Sequence, residues 1–143
     1  MKLMFPLTIV MTLFLGSCKS TQYTPGDYPK RQIVFGSGGG FTGKYEKYTL
    51  LENGQLFYKN SITEEVTEQG NVPKKTVKAI FKQMSEMDFK ELVLEKKENF
   101  TYFIELKEKD QAYTCEWGGS SGEENEQLKE LYKALMLLTK PTE

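Results

Sequence analysis

The chain has 143 residues, of which 27% are charged and 13% aromatic, and a formal net charge of −1. That composition belongs to one folded domain with a core and not to a disordered segment, and the near-neutral balance argues against a nucleic-acid partner, which needs a basic face. There is no histidine, which removes imidazole base catalysis and histidine-ligated metal sites.

Met1-Lys2 is a short positive start, and residues 3–15 form a nearly uninterrupted apolar run. As a helix, about 13 residues rise roughly 20 Å, short of the ~30 Å hydrocarbon core of a bilayer. The run therefore reads as a signal peptide over residues 1–17 and not as a stable span. It ends in Leu15-Gly16-Ser17-Cys18. Small side chains at Gly16 and Ser17 leave the backbone open to a peptidase, and the Cys18 thiol is a nucleophile that can take a diacylglyceryl group. The stretch resembles the lipobox of bacterial lipoproteins. The resemblance implies lipidation of Cys18 and a membrane as the first partner. An ordinary secretory signal, cut at the same small-residue run, is the alternative reading of these residues. With Cys18 used as the anchor, Cys115 is the one cysteine left, and no disulfide can form within the mature chain.

Residues 19–31 contain Pro25-Gly26 and Pro29 and show no periodicity, so residues 18–31 read as the anchor cysteine and a flexible tether. A single domain is expected over residues 32–140. Residues 32–35 are β-prone, and the glycine-rich run after them holds Gly36, Gly38, Gly39, Gly40 and Gly43. The positions from Gly38 to Gly43 match G-x-G-x-x-G, and Lys44 extends the match toward a phosphate-binding loop. Tyr45 then stands where the metal-binding hydroxyl belongs, and a β-prone stretch stands where the phosphate-holding helix belongs. No nucleotide partner follows. The run is expected to be a connection with positive φ angles, with a binding loop that offers backbone amides as the second option.

Asn53-Gly54 between two β-prone runs predicts a two-residue type I′ hairpin turn, which sets Leu51 against Leu56, Leu50 against Phe57 and Thr49 against Tyr58. Neither face of that hairpin is cleanly polar, so both are expected to be partly covered. Residues 62–69 predict an exposed edge strand that Glu64, Glu65 and Glu68 protect from further pairing. A helix begins at Asn71-Val72-Pro73, with Val77, Ile80, Phe81, Met84 and Met87 as its apolar stripe and Lys74, Lys75, Lys78 and Lys82 on its other faces. That lysine-rich face reads as a solvated surface or as one that meets anionic lipid headgroups.

In residues 100–117, a two-residue turn at Lys109-Asp110 pairs Leu106 with Tyr113, Ile104 with Cys115 and Tyr102 with Trp117, all on one face. Cys115 is then a core residue, since a reactive thiol needs a neighbouring base. The Gly118-Gly119-Ser120-Ser121-Gly122 run is a loop, and Ser121 with Glu124 reads as a capping box for the last helix. Leu128, Leu131, Tyr132, Leu135 and Leu138 form that helix's stripe. The serines of the loop lack the G-x-S-x-G elbow of a hydrolase.

The expected fold is α+β: an antiparallel sheet of five or six strands with two amphipathic helices packed on one face. On Leu15-Gly16-Ser17-Cys18, the glycine-rich entry through Phe41-Thr42-Gly43, and Asn53-Gly54, the whole chain resembles small lipoproteins of the Bacteroidetes type. The resemblance implies a cell-envelope location, with the outer membrane ahead of the inner one. In that group a lysine and acidic residues after the anchor cysteine form a surface-export signal. Lys19 fits the pattern and Ser20 and Thr21 do not, so the periplasmic or surface face stays open. The expected role is a non-catalytic binding module for an envelope protein or a glycan, without catalytic residues, metal or cofactor. The alternatives are an inhibitor of a secreted or envelope enzyme and a hydrolase that works without histidine.

Overall fold

The computed structural model describes residues 22–92, 94–119 and 125–141. Seven strands form one sheet, in the order β4-β3-β2-β1-β6-β7-β5: β1 (Gln32–Gly39), β2 (Lys44–Leu51), β3 (Gln55–Asn60), β4 (Val66–Asn71), β5 (Leu94–Glu95), β6 (Phe100–Glu108) and β7 (Gln111–Gly118). Two helices, α1 (Lys74–Glu86) and α2 (Glu126–Leu137), pack on one face. The α+β class holds, but the sheet is mixed and larger than expected. The extra strand is β5, two residues long and parallel to β7. It lies in the stretch that follows α1, after a left-handed Asp88 and a short 3-10 turn at Phe89–Glu91. Two residues carry no readable alternation, which is why the sequence does not announce them. Among the described residues, no helix is long and apolar enough to cross a membrane.

The β6–β7 hairpin has the expected register: Leu106 faces Tyr113, Ile104 faces Cys115 and Tyr102 faces Trp117. Lys109, at φ 55°, takes the left-handed conformation that lets a two-residue turn close. Ile104 and Cys115 are fully buried beneath Leu128, Leu131 and Leu135 of α2, and Val77, Ile80, Phe81 and Met84 of α1 complete the same core. Asn125 caps α2, its side chain accepting from the amides of Gln127 and Leu128. The capping pair Ser121 and Glu124 lies outside the described residues, and Asn125 holds the cap position.

The first hairpin departs from expectation by one residue. Leu50 faces Leu56, Thr49 faces Phe57 and Tyr48 faces Tyr58. The turn is Glu52-Asn53-Gly54, closed by the Gly54 amide donating to Leu51 O at 2.9 Å. A type I′ turn needs positive φ at both central residues, and Asn53 does not take it; Gly54 alone does, at 102°. The three-residue loop with a left-handed glycine in third place results. Because strands alternate, that one-residue change sends Leu56 to the helix face and Phe57 to the opposite one.

The glycine run is also placed differently. Gly36, Gly38 and Gly39 lie inside β1, the central strand, and only residues 40–43 form the connection to β2. Close packing explains the composition. A Cβ on Gly36 would stand 1.9 Å from Glu46 O, and one on Gly38 would stand 2.3 Å from Lys44 O. β2 approaches β1 too closely for any side chain there. The edge strand expected over residues 62–69 starts later, at Val66, after a turn with Glu64 at φ 58°. It carries a bulge at Gln69, since Leu56 faces Gly70 while Phe57 faces Glu68. A bulged, acidic edge resists further strand pairing.

The second face of the sheet is covered in part. Tyr23 and Tyr28 pack there on Leu51 and Phe57, ring to ring at 5.2 Å. Gln55 fixes the chain at this point, accepting from the Tyr23 amide at 3.2 Å and donating to Tyr23 O at 3.4 Å. Within the stretch expected to be a tether, residues 22–31 are therefore part of the folded unit. The aromatic rings supply the apolar cover that this half of the sheet needs.

Candidate functional site

Past Tyr28, the second face is open, and strand pairing dictates what it shows. One row across the sheet reads Lys59 on β3, Lys47 on β2, Gly36 on β1, Phe103 on β6 and Glu116 on β7. The next row reads Phe57, Thr49, Val34, Glu105 and Thr114. With glycine at the centre of the first row, the middle of the sheet has no side chain to fill it. A groove of about 370 Å³ lies there, floored by Val34 and Phe103 and bounded at one end by Tyr45. That volume falls within the range of small-ligand sites. The Tyr45 ring reaches across β1: its Cγ is 2.7 Å from where a Gly38 Cβ would be, and its ring centroid is 6.4 Å from that of Phe103. The aromatic ring takes the room that the glycine leaves.

The walls carry charges of both signs: Lys47 from β2, Lys59 from β3, Glu64 from the β3–β4 turn, Lys97 from the β5–β6 connection, Glu105 from β6 and Glu116 from β7. Lys59 is paired with Glu64 from the β3–β4 turn, and Glu116 with Lys97 at 3.5 Å. Glu105 accepts from the Thr114 hydroxyl at 3.1 Å and pairs with Lys107 at 3.3 Å. Lys47 differs from these. Its ammonium lies 5.8 Å from the centre of the Phe103 ring, and among the described residues it makes no ion pair within 4 Å. An unpaired cation beside an apolar floor attracts an anionic group whose neighbour is apolar. The Tyr45 amide donates to Ser61 Oγ at 2.9 Å, which ties the β3–β4 turn to the groove's rim.

The other end of the β1–β2 hairpin carries a second feature. Phe41 is fully exposed at the tip, between Gly40 (φ 70°) and Gly43 (φ 61°).

Of the residues singled out in the sequence, Gly36 and Gly38 shape the groove by their missing side chains, while Gly40 and Gly43 belong to the Phe41 turn. Gly39 faces the other way, where a Cβ would stand 2.5 Å from Asn99 O. Cys18 lies outside the described residues. Cys115 is buried, its thiol donates to Leu92 O at 3.3 Å, and burial pushes its pKa up to about 11. A thiol held neutral in this way is a core group and a poor nucleophile. The groove residues Lys47, Phe103, Glu105 and Glu116 were not singled out as a site. Alternating polar and apolar residues in a strand also describe an ordinary solvated face. Only the pairing, which puts Gly36 between Lys47 and Phe103, distinguishes them. Among the described residues, no group of three or more acidic or cysteine side chains is placed to hold a metal.

A scan against models of known protein families found no match, and a search of curated proteins found none either.

Proposed function

We propose that the chain is a lipid-anchored cell-envelope protein acting as a non-catalytic binding module, held by acylated Cys18 and using the groove around Gly36 to engage a protein or glycan of the envelope. The observation that carries the binding reading is the row Lys59-Lys47-Gly36-Phe103-Glu116. It puts a cation with no ion pair among the described residues, an aromatic floor and a side-chain gap in one row across five adjacent strands, away from the helix-covered core. Sites built on strands hold their geometry better than sites on loops. The anchor reading is supported by Leu15-Gly16-Ser17-Cys18 at the end of an apolar leader. Two or more acyl chains, at about 0.8 kcal/mol per buried methylene, would hold the protein firmly.

The test of the groove is photo-crosslinking in intact cells from a reactive residue at position 47 or 114, compared with position 78 on α1. A discrete partner captured from 47 and 114 and absent from 78 supports the groove. Identical capture from all three positions overturns it. For the anchor, mass spectrometry of the mature N-terminus should find an acylated Cys18, and Cys18→Ala should abolish that mass. A bare N-terminus in the wild type refutes the anchor.

One observation favours the inhibitor as a second reading. A fully exposed phenylalanine on a tight glycine turn is shaped to enter a partner's apolar pocket. If capture were lost in Phe41→Ala and kept in Lys47→Ala, that reading would replace the groove.

A further inference from the structure

We propose that the end of the sheet where the chain enters the domain is a membrane-docking surface, and that its partner is an anionic lipid leaflet. The inference rests on the Cys18 anchor and adds an orientation to it.

Tyr23 is fixed to Gln55 by two hydrogen bonds, so the folded unit begins beside the Glu52-Asn53-Gly54 turn. Five residue steps separate Tyr23 from Cys18, at most about 17 Å of extended chain. An acylated Cys18 would keep this end of the sheet close to the lipid. The Phe41 turn lies at the other end of β1, whose eight residues span about 26 Å.

The charge at the entry end suits that placement. Lys30 lies just before β1, and Lys109 lies in the β6–β7 turn, next to the Gln32–Lys107 pair that starts β1. The first turns of α1 bring Lys74, Lys75 and Lys78 to the same end, because the amide of Val72 donates to Gly54 O at 2.8 Å. All five lysines are exposed, and among the described residues none makes an ion pair within 4 Å. Most carboxylates nearby are engaged: Glu52 with Arg31 at 2.6 Å, Glu108 with Lys90, and Asp27 with the Thr24 amide and hydroxyl. Asp110 is the exception. Clustered lysines held within a Debye length of an anionic leaflet are drawn to it, and salt weakens the attraction.

The test uses the full mature protein, purified in detergent from membranes and reconstituted into vesicles of phosphatidylcholine alone or mixed with phosphatidylglycerol. Acetylation rates of single lysines are read by mass spectrometry. In the mixed vesicles, Lys30, Lys74, Lys75, Lys78 and Lys109 should react several-fold more slowly than in phosphatidylcholine, while Lys44 and Lys47 keep their rates. High salt should remove the protection. The triple variant Lys74→Glu, Lys75→Glu, Lys78→Glu should still float with the vesicles and lose the protection of Lys30 and Lys109. Protection equal at both ends, or confined to Lys44 and Lys47, overturns the docking surface and leaves the anchor standing. Failure to float with pure phosphatidylcholine vesicles overturns the anchor, and the orientation with it.

Discussion

Ile104 and Glu105 are neighbours on β6 that face opposite sides of the sheet. Ile104 is fully buried against Cys115 and the helices, and Glu105 is half-buried on the groove wall. Ile104→Ala should cost about 2–5 kcal/mol, through lost burial and the cavity left behind. Glu105→Ala removes a hydrogen bond from Thr114 and a partly exposed ion pair, so about 1 kcal/mol or less is expected. Urea melts of the two variants measure the difference, and equal losses would refute the β6–β7 register. Glu52 offers a pH test. Its hydrogen bond from Arg31 holds the carboxyl below the usual carboxylate value. A depressed folded pKa means that the unfolded chain binds the proton more readily. The pair therefore stabilises the fold above the ordinary carboxylate value, and that contribution is lost as the pH falls through the folded one. Both partners are about a third exposed, which limits the effect to about 1 kcal/mol. In acid titrations of stability, Glu52→Gln should flatten the limb below that range and leave neutral stability lower. An unchanged acid limb would remove Glu52 from the account.

At the scale of elements, legibility followed side-chain alternation. The β6–β7 pairing could be read because three apolar or aromatic pairs coincide in only one register, and both helices could be read from their stripes. The first hairpin slipped by one residue because Leu50, Leu51, Leu56 and Phe57 are all apolar, so hydrophobicity fits either register. The turn decides, and Asn53-Gly54 serves a three-residue loop as well as a two-residue one. The glycine run was hardest, since residues without side chains cannot show alternation, and a central strand there looks like a loop. The groove shared that obscurity, because it is defined by the missing side chain of Gly36. Two alanine substitutions separate strand from connection. Gly36→Ala would drive a Cβ into the main chain at Glu46 and should cost about 1–3 kcal/mol or more. Gly43→Ala meets open space and pays only for its left-handed φ, about 1–2 kcal/mol. Should thermal melts find Gly43→Ala the more damaging, β1 does not extend through the glycines.

For the whole molecule, the division of the sheet's second face governs both stability and use. Helices pack on one face, and two tyrosines from residues 22–31 cover part of the other, leaving the groove beyond them. Burial raises the Tyr28 pKa, as expected for a ring seated on Leu51 and Phe57. Removing it would leave Leu51 and Phe57 with Tyr23 as the remaining cover of their cluster. Tyr28→Ala should therefore cost about 3 kcal/mol, near the range of large aromatic truncations, and should increase binding of a dye specific for apolar surface. Lys47→Ala, on the uncovered half, should change stability by about 0.5 kcal/mol or less. The contrast also bears on the distance from the membrane. With Tyr23 and Tyr28 seated, five residue steps separate the fold from Cys18; once they are released, residues 22–31 join the linker and the domain stands farther off. Energy transfer from Trp117 to an acceptor lipid in reconstituted vesicles should then weaken in Tyr28→Ala and hold in Lys47→Ala. If both variants match the wild type in stability and in transfer, residues 22–31 are a loose linker, and the second face of the sheet is open along its whole length.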